Sequence, residues 1–478
     1  MIPSHVRSSA LAALLLAVTF GNVAAQQEYD IAIVGGRLID PANAIDGIRN
    51  IGIVGDRIAL VTEATISARR VIDATGLVVA PGFIDLLASY PNDDQSGEFK
   101  VTDGVTSSFG MHGGAIDNAA WAQARVDSGA YINFGATVGH AAVRRAAGIT
   151  DRYAAATDEQ LTVMLQLARQ GLNGGAVGIG FGVQYVPGAS REEVLRLFEV
   201  CAEFDVPCHL HVRYLGPHPA DNSSLAAIEE VIAAAAVTGA SAQIVHIGSV
   251  AGRKIATALW MLEGAQARGI DVMADVYPYT AGSTGLSSTV FDDGWQERMG
   301  GISYGDIELT RTGERLTAET FASYRAEGTH SVIVRFIPEE SVRLALAHPL
   351  VMVASDGVIR RGRGHPRGAG TFSRVLGRYV REQNVLSLPE AIRKMTIMPA
   401  RRLEQSVPAM IRKGRLNPGA DADVVVFDPA TVADRATYQE PAQHSVGIRY
   451  VLVNGQVVVE DGKLNEDVQP GRPVRRGW

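Results

Sequence analysis

The chain has 478 residues, too many for one simple core, and this length suggests about two or three domains. Charged residues make up 20% and hydrophobic ones 46%, the balance of an ordinary soluble globular protein. The formal net charge of -7 argues against a nucleic-acid partner, since such domains are usually basic. No run of about 20 apolar residues follows the amino-terminal segment, so no membrane span is indicated.

The chain opens with the pattern of an export signal. Arg7 supplies the positive start, Ala10 to Phe20 is apolar, and Val23-Ala24-Ala25 forms a small-residue cleavage site before Gln26. Residues 1–25 are therefore expected to be removed, leaving a periplasmic or secreted bacterial protein. Export would permit a disulfide, but the only cysteines are Cys201 and Cys208. With one on a predicted helix and the other opening the next strand, they read as two buried thiols.

Residues 26–81 read as short strands with tight turns, in "YDIAIVGGRLID", "NIGIVGDRIALV" and "ARRVIDATGLVVAPG". The same style returns over 411–478, where Asn454-Gly455 is a strong hairpin signal. The two ends are expected to pair into one small β-sandwich. Between them, residues 82–410 alternate strand-like runs with helical stretches, such as "AVGIGFGVQY" before "REEVLRLFEVCAEF". This alternation predicts a (β/α)8 TIM barrel, α/β in class. Residues 290–332 are weaker in apolar pattern and are expected to form a loop or small insertion over the barrel mouth.

In such barrels chemistry sits where strands end and loops begin. His112, His140, His246 and Asp356 all follow strand-like runs, and His209 and His211 share one face of theirs by period-two alternation. Neutral imidazole is a common zinc ligand, and several histidines at one end of successive strands point to a metal. Asp356, in "ASDG", is open to two readings: a turn cap, or a carboxylate that takes and returns a water proton. Arg213, two residues after His211, suits a substrate carboxylate or a surface ion pair. Tyr277 and Ser283, in "DVYPYTAGST", either line a pocket or pack a loop.

Together these segments resemble the amidohydrolase superfamily, in its N-acyl-D-amino-acid deacylase (D-aminoacylase) branch. The likeness runs through "VIDATGLVVAPGFID", "DGVTSSFG", "GAVGIGFGVQYVPG", "ADVYPYTAGST", "ASDG" and "HPRGAGTFSRVLGRYVRE". The resemblance implies a barrel with a small sandwich built from both chain ends, and zinc-dependent hydrolysis of the amide of an N-acyl amino acid. By motif, His211 and His246 match the histidines that hold the tightly bound zinc, and Asp356 matches the catalytic aspartate. Arg213, Tyr277 and Ser283 match positions that hold the substrate carboxylate or line its pocket.

Three departures qualify this. The family's His-x-His after "PGFID" is replaced by Leu87 and Ser89, which removes the ligand pair of a second, weaker metal site. The family's cysteine after "GVTTVV" is absent, and His112 lies within one residue of its place. The family's lysine two residues after the second zinc histidine is Gly248 here. The sequence therefore predicts a hydrolase with one zinc on His211, His246 and His112, acting on a small amide that carries a carboxylate. Two rivals stay open: a barrel that binds without cutting, and a shifted substrate such as a dipeptide, cyclic amide or ester.

Overall fold

The structure, a computed structural model, describes Met1 and residues 28–88, 94–216 and 222–477. The rest of the predicted export segment and Ser89 lie outside the described residues.

Eight short strands run parallel around the centre of the molecule: β1 (Phe83–Asp85), β2 (Val105–Gly110), β3 (Asn133–Ala136, continued by Val138–Gly139), β4 (Ile179–Gly182), β5 (Cys208–His211), β6 (Ala242–Ile244), β7 (Val272–Val276) and β8 (Val351–Val353). Each pairs in parallel with the next in sequence, from β1 through to β8. Beyond β8 the chain returns to β1. Ala88 and Gly357 form a parallel bridge, and the Ser355 N–H donates to Asp85 Oδ1 at 3.0 Å. This is the (β/α)8 order the sequence predicts.

The strands are almost wholly buried, as parallel strands covered by helices must be. The covering helices begin at side-chain caps. Thr157 and Gln160 form a reciprocal capping box for Asp158–Asn173, and Ser190 and Ser223 cap Arg191–Glu203 and Ser224–Thr238. In Asp158–Asn173, Met164, Leu165, Ala168 and Leu172 face inward, at the spacing of one helical stripe. Cys201 and Cys208 are both buried and free, as the sequence suggests.

The strands of both chain ends form one nine-stranded sheet among the described residues. Val78–Pro81 from the amino end pairs antiparallel with Val424–Phe427 from the carboxyl end, which is the seam between them. Alternation along these two strands serves two cores. Val79, Val424 and Val426 pack with Ile33, Ile53 and Leu452 inside the end sheet, whereas Val78, Ala80, Val425 and Phe427 join the barrel core. Asn454 and Gly455 take the left-handed turn between Ile448–Val453 and Gln456–Glu460, the hairpin the sequence signals.

The insertion between β7 and β8 is more structured than its sequence suggests. Ala281–Gly285, Ile307–Leu309 and Ser331–Arg335 form a three-stranded antiparallel sheet. Phe291, Trp295, Tyr304 and Phe321 pack their rings at 5.1–5.6 Å under it. A few aromatic side chains supply this small core, where no aliphatic periodicity would announce it.

Candidate active site

The carboxyl ends of the barrel strands place His211, His246, Tyr277 and Asp356 around a narrow cavity of about 40 Å³, with Tyr185, Ser283 and Arg367 completing its wall. It opens past Tyr185, Ser283, Thr284, Asp356 and Arg367 into an outer cavity of about 710 Å³, where His112 also lies.

His211 ends β5, and His246 follows β6 in a left-handed backbone conformation with φ of 39°. Non-glycine residues rarely adopt that region, and such strain gathers at functional sites. Asp275 on β7 fixes the conformation by accepting the His246 N–H at 2.6 Å and a Gln243 side-chain N–H at 3.1 Å. Burial pushes the Asp275 carboxyl up to about 7. Asp356 is also left-handed, at φ 50°, and its N–H donates to the Leu87 carbonyl at 2.5 Å.

The rings of His211 and His246 lie 4.6 Å apart, centre to centre. Two imidazoles on one tetrahedral zinc, with bonds of about 2.0–2.1 Å, bring their centres to about 5 Å. The Nδ1 of His246 is engaged by the Ser249 hydroxyl at 2.8 Å, and that of His211 lies 3.4 Å from the Val212 carbonyl. Their Nε2 atoms make no hydrogen bond among the described residues. An outer-side partner on one nitrogen and a free inner one is how ligating histidines are usually held. Burial first, then the neighbouring histidines and, at His246, Arg367, keep both well below the usual imidazole range, in the neutral form a metal needs. The donor pair fits zinc.

His112 departs from its expected place. Its ring centre is 6.4 Å from that of His211 and 6.5 Å from that of His246. Its Nε2 leans instead towards Asp356 Oδ1, 3.9 Å away, and its side chain is 22% exposed at the cavity mouth. Among the described residues no three His, Cys, Asp or Glu side chains close on one point. The structure thus brings together two of the three predicted ligands and sets the third back.

Arg213 is corrected more fully. β5 stops at His211, so the strand alternation that would aim Arg213 inward no longer applies. Its guanidinium grips Glu230 at 2.9 and 2.7 Å and donates to the Ala189 carbonyl at 2.5 Å. It is a structural cation, and it does not line the cavity.

Another arginine stands in its stead. Arg367 donates to Asp356 Oδ2 at 2.8 Å and lies over the Tyr277 ring at 4.4 Å. It is 4% exposed, and its Nε and NH1 have no hydrogen-bond partner. Buried donors left unsatisfied are costly, about 1–3 kcal/mol each, and Arg367 as a residue lines both cavities. Arg367 belongs to "HPRGAGTF", within a segment that carries the family likeness, and its place at the start of a helix after β8 is what brings it to Asp356. Tyr277, beneath it, is itself pushed up to about 12 by burial, so it stays a neutral hydroxyl. Ser283 lines both cavities, as expected.

Two strand-end histidines do not join the site. His140 is paired with Glu193 at 2.6 Å beside Arg144, all three buried. His209 is fully buried in the barrel, with neither ring nitrogen hydrogen-bonded. Where the His-x-His pair is missing, Leu87 packs against Val245 and Ala354. Beneath it Lys100 donates to Asp85 at 2.8 Å and to Ser355, a buried cation bound to the strand that leads to Asp356.

Comparison with known proteins agrees with this geometry. Residues 111–459 match the Amidohydrolase family. An N-acyl-D-glutamate deacylase of Alcaligenes xylosoxydans xylosoxydans is 34% identical, with 94% of this chain and 97% of that protein covered. The crystal structure of N-acyl-D-glutamate deacylase from Bordetella bronchiseptica, with zinc and a phosphonate mimic of the tetrahedral intermediate, superposes with a TM-score of 0.82 at 32% identity, covering 94% of this chain and 100% of that one. A D-aminoacylase studied for its binuclear metal centre, with one-metal activation and second-metal attenuation, gives 0.81 at 29% identity over 94% and 100%. A barrel of eight parallel strands, paired imidazoles and an aspartate at their open end, and likeness along nearly the whole chain place this protein in the amidohydrolase family, in its D-aminoacylase branch.

Proposed function

We propose that the protein is an exported deacylase that uses one zinc ion to hydrolyse the amide of an N-acyl-D-amino acid. The observation that carries this reading is the meeting of His211, His246, Asp356 and Arg367 on one small cavity at the strand ends. His211 and His246 would hold the metal, with His112 the nearest further imidazole. A zinc ion there supplies Lewis acidity to a water and to the scissile carbonyl. Asp356 takes the proton of the attacking water and returns it to the amine nitrogen as the C–N bond breaks, leaving a carboxylate and a free amino acid. Arg367, the cation on the cavity wall, meets the substrate carboxylate through a charge-assisted hydrogen bond.

The single ion is supported by Leu87, buried against Val245 and Ala354 at the sequence position where the family resemblance expects a ligand. The similar D-aminoacylase described for one-metal activation and second-metal attenuation supports a single ion here. Export rests on the pattern from Arg7 to Ala25, and sequencing the amino terminus of periplasmic protein should begin near Gln26.

The test is amine release from a panel of N-acyl-D- and N-acyl-L-amino acids. Activity on D-substrates, lost with chelator and restored by about one equivalent of zinc, is expected. No amine release from any N-acyl-D-amino acid in the presence of zinc contradicts the proposal.

A further inference from the structure

Ser283 and Arg367 reach the inner cavity from different parts of the chain, yet one buried side chain binds both segments. Ser283 belongs to the insertion strand Ala281–Gly285, and Arg367 opens the helix Arg367–Arg374 beyond β8. Between them lies His365, 2% exposed. Its Nε2 is 2.9 Å from the Ala281 carbonyl, and its Nδ1 is 3.1 Å from the Arg367 backbone nitrogen. Its own carbonyl accepts the Gly368 N–H at 3.0 Å.

These two partners admit one form of the ring. A carbonyl only accepts, so Nε2 carries the proton; a backbone N–H only donates, so Nδ1 carries the lone pair. That form is the neutral imidazole, and burial, with Arg367 beside it, holds His365 well below the usual imidazole range. The Arg367 N–H stands at a helix start and has no partner within the helix. Nδ1 therefore satisfies a buried donor that would otherwise be costly.

Packing holds the ring in that orientation. Tyr279 and Tyr438 each meet it edge-on at 5.2 Å, centre to centre. Arg374, from the helix that Arg367 opens, lies over Tyr279 at 4.7 Å, and Arg335, from the insertion, lies over Tyr438 at 4.2 Å. A buried polar group with every partner in place is rigid. Resting on the deacylase reading above, we propose that His365 is a positioning residue of the reaction. As the Nε2–H tautomer it ties Arg367 to the insertion, so that the carboxylate-binding cation and the Ser283 wall keep a fixed spacing. It acts through Arg367 and not on the reacting atoms.

Three variants separate the two bonds. His365→Phe keeps a ring and loses both, His365→Asn keeps an acceptor near the Nδ1 position, and His365→Gln keeps a donor near the Nε2 position. Steady-state kinetics on N-acetyl-D-methionine, at equal zinc content and with the fold confirmed by circular dichroism, should show KM raised about tenfold or more in His365→Phe, with kcat changed less. His365→Asn should recover most of that loss and His365→Gln little of it, because only the first keeps the bond to Arg367. A role in folding alone lowers Tm and leaves KM unmoved. A KM within about twofold of wild type in His365→Phe, or in His365→Gln where the former does not fold, overturns the proposal. Ring-nitrogen NMR of histidine-labelled wild-type protein, assigned against His365→Gln, should show the neutral Nε2–H form; an Nδ1–H or cationic ring overturns it. If the wild-type enzyme cleaves no N-acyl-D-amino acid, the deacylase reading fails by itself, and calorimetric binding of N-acetyl-D-methionine still decides this one. Weaker binding by His365→Gln supports it; no binding, or equal binding by both proteins, overturns it.

Discussion

Replacing Arg367 with glutamine keeps a planar amide near Asp356 but removes the cation. Arg367 is 4% exposed, and its contact with Asp356 is 2.8 Å, so both its partner and its unpartnered donors lie in poorly hydrated surroundings. Truncating one side of a buried, charged hydrogen-bonded contact costs about 2–5 kcal/mol, which corresponds to roughly 30- to several-thousand-fold in affinity or rate. If Arg367 grips the substrate carboxylate in both ground and transition states, the loss appears chiefly as a raised KM. If it also orients Asp356, kcat falls as well, and Arg367→Lys recovers the charge but not the planar guanidinium. Steady-state kinetics of the three proteins on one N-acyl-D-amino acid, with far-UV circular dichroism to confirm the fold, resolve this. A kcat/KM for Arg367→Gln within about threefold of wild type would refute the reasoning.

Other consequences concern stability. Lys100→Met strands Asp85 as a buried charge in a pair that is 2% and 0% exposed, and should lower unfolding free energy by about 3–5 kcal/mol, as read by denaturant titration; an unchanged midpoint would show that the pair contributes nothing. Asp103 accepts N–H bonds from Phe372 and Ser373 and the hydroxyl of Ser445, yet burial raises it to about 6. Because its folded pKa exceeds the unfolded value of 3.8, the native state binds more protons between the two. Its contribution to stability therefore falls as pH rises from about 4 to 6, by about 3 kcal/mol, and is level above that. The wild-type minus Asp103→Asn stability difference should trace this slope, and a difference that is flat across the window would contradict it.

The architecture was legible because its signals are local and repeated. Strand–helix alternation announces the barrel, and period-two patterns with turn dipeptides announce the strands of the two ends. The candidate site was legible only as far as strand geometry extends. His211 and His246 stand where strands deliver them, and Asp356 follows β8 directly. Arg213 failed because alternation was carried two residues past the end of its strand, where Glu230 on a neighbouring helix claims the guanidinium. Arg367 went unassigned because it comes from a helix start beyond β8, and nothing in local spacing says that it reaches Asp356. The setback of His112 was equally hidden, since a loop's reach depends on packing from several elements. Leu87 was readable as a lost ligand, but its apolar contacts with Val245 and Ala354 come from β1, β6 and β8 meeting in space.

The proposed chemistry needs one metal held by two buried imidazoles, with His112, set back at the cavity mouth, as the candidate third ligand. Zinc per chain, measured by elemental analysis on protein purified without added metal, tests it most directly when wild type is set beside His246→Ala and His112→Ala. About one zinc per chain in wild type, near-complete loss in His246→Ala and about 10- to 100-fold weaker retention in His112→Ala are predicted. Two zinc ions per chain, or a full complement in His246→Ala, would contradict it.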